Sequence, residues 1–248
     1  MFPQAYRFAK TAHKEQEYSP QVPYISHLTQ TFDILAENMD ENEGDKKFAL
    51  TMALLHDTLE DTDTTAEQLA AIFGQPVADG VSALTKNSSL PYKEQLNDSL
   101  QRILTQPNEV AIVKMADRCS NLSTLSPVWN YTRKVQYGYD AELILNTLKG
   151  KSKSMSDCLQ KYIDNYKEMI YRISIRKEVL NEVVAGMSAK YFHVAKAMGV
   201  LHDRTHPLNI KNKEIFALRD TVRDAETMEE LEAVENKLLE YDDDLGKY

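Results

Sequence analysis

Apolar residues recur along this chain at spacings of three and four, the repeat of an α-helix with one buried face. Ile25, Leu28, Phe32 and Leu35 form one stripe, and Phe48, Met52, Leu55 and Leu59 form another. Thr64 followed by Glu67 has the form of a capping box, which predicts a helix that stops at Gly74. Two further helices are expected over 108–125 and 130–149. A long one is expected over 157–181, with Leu159, Ile163, Tyr166 and Ile170 on one face. A last helix opens at Thr227, where Glu230 completes another capping box, and runs into the acidic tail YDDDLGKY. No stretch alternates with period two, so the expected fold class is all-α, a helical bundle. The lysine- and serine-rich run KGKSKSMS, 149–156, is the expected linker. It divides the chain into a domain over 1–150 and a C-terminal helical extension over 151–248, to which the sequence assigns no chemistry.

Composition narrows the function more than the fold. At 248 residues the chain can bury a proper core, and only 8 glycines and 8 prolines favour helix over sheet. A net charge of −9 argues against a basic groove, so neither DNA nor RNA is an expected partner. A small anionic substrate stays compatible with that charge if a metal ion supplies the local positive field. Cys119 and Cys158 are the two cysteines and have no CxxC spacing, which suits a reducing compartment and gives no thiolate metal site. No apolar run approaches the ~20 residues of a membrane span, and the start MFPQAYRFAK lacks a signal-type apolar core. A cytoplasmic protein without a membrane partner is expected.

Candidate chemistry is concentrated in ALLHDTLEDTDTT, 53–65. On a helix His56 neighbours Glu60, and Asp57 neighbours both Glu60 and Asp61. The three carboxylates that join the imidazole on about one turn repel one another and, near a helix C-terminus, oppose the helix dipole. A divalent cation reverses both effects, whereas the plainer reading is a solvated acidic helix end with His56 packed on the core. Two other segments bear on the choice. In VPYISHLTQTFDIL, 22–35, His27 borders the apolar stripe. In VAIVKMADRCSNLSTL, 110–125, Lys114, Asp117, Asn121 and Thr124 make a polar stripe on an otherwise apolar helix. A buried aspartate needs a partner, which a metal or a salt bridge supplies.

The ordered set PYISH, ALLHDTLEDTDTT and KMADRCSNLSTL resembles the HD hydrolase domain of the RelA/SpoT family, over roughly residues 5–130, and is most similar to its small single-domain (p)ppGpp hydrolases. The resemblance implies one Mn²⁺-type ion held by His27, His56, Asp57 and Asp117. It implies Glu60 and Asp61 as the acid/base pair that deprotonates the attacking water. It sets Lys114 on the phosphate side and Asn121, Thr124 and Tyr24 among the substrate contacts. The implied reaction is removal of pyrophosphate from the 3′ position of a guanosine polyphosphate, a small nucleotide.

The chain departs from the family pattern in places. Thr11 and Ala12 align with a basic pair that meets the guanine base, which leaves Lys10, Lys14 and Tyr18 to take over that role. This keeps other substrates open, NADPH or another nucleoside polyphosphate among them, as well as a nucleotide-binding regulatory module. Strand patterning for a synthetase half is missing after residue 150. A second His-Asp dipeptide, His202-Asp203, and the histidines His193 and His206 lie in the extension, where ordinary surface or core roles are expected.

Overall fold

The computed structural model describes residues 2–126 and 128–245, and the architecture is all-α with one small hairpin. Helix α1 (Phe2–Ala12) leads into strands β1 (Glu17–Ser19) and β2 (Val22–Pro23), which pair antiparallel with Glu17 opposite Pro23 and Ser19 opposite Val22. The two-residue connection places Gln21 at φ 66, a left-handed turn position. The hairpin is too short for alternation to announce it. Helices α2 (Ile25–Asn38), α3 (Lys46–Leu55), α4 (Thr58–Asp61), α5 (Ala66–Phe73), α6 (Gln75–Leu84), α7 (Tyr92–Leu104) and α8 (Asn108–Leu122) follow. Then come α9 (Tyr131–Leu148), α10 (Lys153–Ala197), α11 (Pro207–Asp224) and α12 (Met228–Leu245).

The chain divides into two compact units. The first holds 1–124 and 136–166, and the second 125–135 and 167–248. In the first, α3 and α8 are the central helices: seven consecutive residues of α3, Ala49 to Leu55, are buried, and most of α8 is too. Helix α6 packs so closely beneath them that a Cβ at Gly80 would stand 2.5 Å from Met52 Sδ. Cys119 on α8 and Cys158 on α10 are buried free thiols with their sulfurs 4.0 Å apart.

In the second unit Leu180, Val184, Met187 and Tyr191 of α10 share a core with Ile215 and Val222 of α11 and Leu231 and Leu238 of α12. Among the described residues no helix is long and apolar enough to cross a membrane.

Several local expectations are corrected. The capping box of α5 is Thr65 with Gln68, one residue beyond Thr64 and Glu67, because the Thr64 hydroxyl is engaged by Thr62 (2.8 Å). The run 149–156 is no linker. It is a tight turn followed by the first turn of α10, held by Glu43, whose carboxylate accepts from the Lys153 and Ser154 amides (2.8 and 3.0 Å) and from the Ser152 hydroxyl (2.5 Å). The long helix is longer than expected at both ends, since its apolar stripe continues through Met187, Tyr191 and Ala195.

Candidate active site

The site is built where α3 breaks. A continuous helix turns about 100° per residue, so adjacent side chains diverge. The break lets His56 and Asp57 converge: α3 ends at Leu55, the Thr58 hydroxyl donates to the Leu55 carbonyl (2.7 Å), and α4 begins as a separate turn. His56 Nε2 therefore stands 3.1 Å from Asp57 Oδ2. The expectation of one helical turn carrying all four groups is corrected to that extent, although Asp61 still donates its amide to the Asp57 carbonyl (2.9 Å).

Two other helices bring the remaining donors. His27, on the first turn of α2, places Nε2 at 3.5 Å from Asp57 Oδ2 and 3.3 Å from Asp117 Oδ1. Asp117, in the middle of α8, also stands 3.5 Å from His56 Nε2. His27, His56 and Asp117 are buried, and donor atoms of His27, His56 and Asp57 lie within 4.8 Å of one another. That cluster could hold one divalent ion.

The surrounding hydrogen bonds prepare the imidazoles for such an ion. His56 Nδ1 faces the Ala53 carbonyl at 2.8 Å, an acceptor only, so Nδ1 carries the proton. His27 Nδ1 faces Ser120 Oγ at 2.9 Å, and that hydroxyl gives its own proton to Gln30 Oε1 (2.9 Å). Both Nε2 lone pairs are thus directed inward when the rings are neutral. His56 Nε2 is buried with no well-aligned hydrogen bond, and a ligand set of two imidazoles and carboxylates suits a divalent cation.

Without an ion the cluster holds protons instead. Burial alone would lower the His56 pKa, yet the carboxylates of Asp57 and Asp117 raise it well above its ordinary value, and His27 is raised in the same way. Burial acts to raise Asp57 and Asp117, but the imidazoles, and for Asp117 first Lys114, hold both well below the usual range.

The other expected residues take distinct places. Tyr24 donates its hydroxyl to both Asp57 Oδ2 (2.8 Å) and Asp61 Oδ2 (3.0 Å), tying the two carboxylates together. Burial and the nearby Asp57 charge raise the Asp61 pKa. Glu60 pairs with Lys86 Nζ (2.6 Å) and accepts from the Lys86 amide (2.9 Å). Lys114 is 8% exposed and its Nζ lies 3.0 Å from Asp117 Oδ2. Asn121 donates to Asp117 Oδ1 (2.6 Å). Thr124 is exposed, just beyond the end of α8.

An HD-domain family model matches residues 5–142. The chain belongs to the HD-domain family. Its relatives include guanosine-3′,5′-bis(diphosphate) 3′-pyrophosphohydrolase MESH1 of Danio rerio, 33% identical over 159 residues that cover 62% of this chain and 87% of that protein. The enzyme named guanosine-3′,5′-bis(diphosphate) 3′-pyrophosphohydrolase in Aquifex aeolicus is 30% identical over 194 residues, 64% of this chain but 27% of that longer protein. A solved structure of a metazoan ortholog of SpoT that hydrolyses ppGpp superposes with a TM-score of 0.59 at 25% identity, covering 66% of this chain and 94% of that one.

Around the cluster this HD domain also gathers Tyr18, offered by the sequence only in place of the missing basic pair, and two residues that motif reading passed over, His13 and Lys86. Tyr18 on β1 stacks on His27 (4.9 Å, 6°) and donates to Asn121 Oδ1 (3.2 Å). The hairpin therefore brings Tyr18 to the cluster, while Thr11 is an exposed residue of α1 whose hydroxyl donates to the Arg7 carbonyl. His13 is buried and stacked on Tyr24 (4.6 Å, 10°), and Gln16 links His13 Nδ1 to the Asp61 carbonyl. Lys86, 26 residues beyond Glu60, carried no sequence signal.

Proposed function

We propose that the protein is a Mn²⁺-dependent phosphohydrolase that releases pyrophosphate from the 3′ position of guanosine-3′,5′-bis(diphosphate). The observation that carries this reading is the convergence of His27, His56, Asp57 and Asp117 from three helices around one ion-sized gap. These four side chains hold the ion, one per protein. Bound there, a divalent cation lowers the pKa of water, polarises a phosphoryl group and offsets charge developing in the transition state.

The chain's own residues do the rest. Asp61, with its pKa raised and its carboxylate fixed by Tyr24, takes the proton from the attacking water. Glu60, held by Lys86, is the second member of the acid/base pair and keeps Lys86 beside the site as a cation for phosphate oxygens. Lys114 sets the orientation of Asp117, and Asn121 and Thr124 line the nucleotide's path. The hydrolase occupies 1–150, with 151–248 as its helical extension, and the compartment is the cytoplasm.

A second substrate class, another nucleotide phosphate such as NADPH, is favoured by one feature. The hairpin presents a neutral aromatic, Tyr18, beside the cluster where a cation would engage a purine. The test is purified protein with Mn²⁺ and ppGpp, with GDP and pyrophosphate followed by chromatography beside a panel of other nucleotides. Pyrophosphate release that chelator abolishes is the expected result. Turnover of another nucleotide alone would move the specificity and keep the ion site. Absence of any metal-dependent turnover would overturn the reading.

A further inference from the structure

The turn between α1 and β1 carries two side chains that no sequence motif singled out, His13 and Gln16. His13 is 2% exposed, and its ring lies flat on that of Tyr24, with centroids 4.6 Å apart and planes 10° apart. Its Nδ1 meets Gln16 Oε1 at 2.7 Å, and Gln16 Nε2 donates to the Asp61 carbonyl at 2.5 Å. The main chain joins the same three residues of the turn and hairpin. The Gln16 amide donates to the His13 carbonyl, and the Tyr24 amide to the Gln16 carbonyl, both at 3.0 Å.

Two routes therefore lead from one imidazole to Asp61. One runs through the stacked ring of Tyr24, whose hydroxyl donates to Asp61 Oδ2 (3.0 Å). The other runs through Gln16 to the Asp61 main chain. A carbonyl only accepts, so the Gln16 amide nitrogen faces Asp61 and Oε1 faces His13. His13 Nδ1 accordingly carries a proton, and its buried Nε2 has no hydrogen-bond partner among the described residues. A phenylalanine would fill that space without burying an unpaired nitrogen, and an asparagine would offer the donor without the ring. Histidine supplies ring and donor together.

We infer that His13 is a positioning residue, a clamp that fixes the Asp61 carboxylate through Tyr24 and the Asp61 main chain through Gln16. Asp61 ends α4, a helix of four residues. A single helical turn has little rigidity of its own, so contacts from outside it set where that carboxylate points. The inference rests on the reading of Asp61 as the group that takes the proton from water, and it adds what holds that group still. Misplacing a reacting group by about 1 Å costs on the order of 10²-fold in rate.

The experiment uses the full chain with His13→Phe, which keeps the ring, His13→Asn, which keeps a donor near Nδ1, and Gln16→Leu. It reads kcat and KM for ppGpp in saturating Mn²⁺, the melting temperature, and amide exchange over 58–62 in the metal-free protein. Each variant should lower kcat about 10-fold and leave KM unchanged. Exchange over 58–62 should quicken about 10-fold, while exchange over α8 stays as in the wild type. His13→Phe combined with Gln16→Leu should lose no more than either alone, because both cut the same route. His13→Asn combined with Gln16→Leu should lose about the product of the two, because each cuts a different one. A lowered melting temperature with kcat and exchange over 58–62 unchanged would make His13 a structural residue and overturn the inference. So would a loss of activity that more Mn²⁺ restores in full, since His13 would then act on the ion. If His13→Asn fails to fold, His13→Phe and Gln16→Leu carry the test. A wild-type chain without metal-dependent turnover, whose exchange still quickens in the variants, would sink the phosphohydrolase reading and leave the clamp standing.

Discussion

The dipeptide His-Asp occurs in both units of the molecule with opposite outcomes. In the first unit, His56 and Asp57 stand at a helix break, His56 is buried, and both face groups from α2 and α8. In the second, His202 and Asp203 lie in an exposed turn, where Asp203 accepts from the Thr205 amide and hydroxyl (2.9 and 2.6 Å). The wider contrast is similar. Among the described residues Lys134 is the one buried charged side chain of the second unit, and its Nζ donates to the Glu226 carbonyl at 2.7 Å and lies 3.5 Å from Glu226 Oε2. The first unit buries His27, His56 and Lys114 around Asp117. Buried charge that is satisfied by a nearby carbonyl holds a fold together, whereas buried charges turned on one another await an ion and a substrate.

The largest expected effect tests the two dipeptides directly. Asp57→Ala should abolish Mn²⁺ binding and turnover with helicity retained, while Asp203→Ala should leave both unchanged. Calorimetry with Mn²⁺ and circular dichroism read the two variants, and full activity in Asp57→Ala would remove the assigned site. Glu60→Gln should keep Mn²⁺ binding but lower kcat by roughly 10²- to 10⁴-fold, the usual worth of a positioned acid or base.

The two buried lysines give the next comparison. Lys114→Met takes one cation from the buried Asp117, leaving it to His27, His56 and Asn121, and should destabilise the metal-free protein by about 1–3 kcal/mol. Mn²⁺ should remove much of that deficit, because the ion takes over as the partner of Asp117. Lys134→Met loses the hydrogen bond to the Glu226 carbonyl and the ion pair with Glu226 Oε2 (3.5 Å), and should cost about 1–3 kcal/mol whether Mn²⁺ is present or not. Urea unfolding with and without Mn²⁺ measures both, and metal-independent deficits of equal size would erase the distinction.

Much of this was legible before the fold was known, and the gaps have physical causes. The family resemblance named His27, His56, Asp57 and Asp117 as one set, and the fold brings each imidazole within 3.5 Å of both carboxylates. The grouping of His56 and Asp57 with Glu60 and Asp61 was assigned to a continuous helix, since a break after Leu55 leaves no glycine or proline to mark it. Lys86 and His13 were missed as partners because each meets the cluster through tertiary packing, with no local period to reveal it. Thr11 and Ala12 were placed opposite the base by alignment alone, whereas the β1–β2 hairpin delivers Tyr18. In the second unit the capping box at Thr227 and Glu230 was read correctly, since their two bonds (3.2 and 3.1 Å) use only neighbours in sequence.

Protons offer a smaller and reversible test of the same contrast. His27 and His56 have raised pKa values in the metal-free fold, so their contribution is complete below about pH 6.5 and fades as pH rises through those raised values. Asp57 and Asp117 are depressed, so theirs is present above about pH 4 and fades as pH falls through the depressed values. Chelated protein should therefore lose melting temperature on the alkaline side of neutrality. Mn²⁺ must displace the imidazole protons, so the melting-temperature gain on adding it should grow over the same range. A gain that shrinks with rising pH would contradict the ligand set.

Helix caps should respond alike in the two units, because a cap is local and indifferent to the site. Thr65→Ala removes the hydroxyl that accepts from the Gln68 amide (3.3 Å), and Thr227→Ala the one that accepts from Glu230. Each should cost about 1 kcal/mol, read as a shift in the urea midpoint. Thr64→Ala distinguishes the observed cap from the one the sequence suggested. Thr64 accepts from Thr62 and caps nothing, so its loss should cost less than that of Thr65. Equal losses at 64 and 65 would mean that α5 begins one residue earlier than Ala66, and the path from α4 to α5 would have to be redrawn.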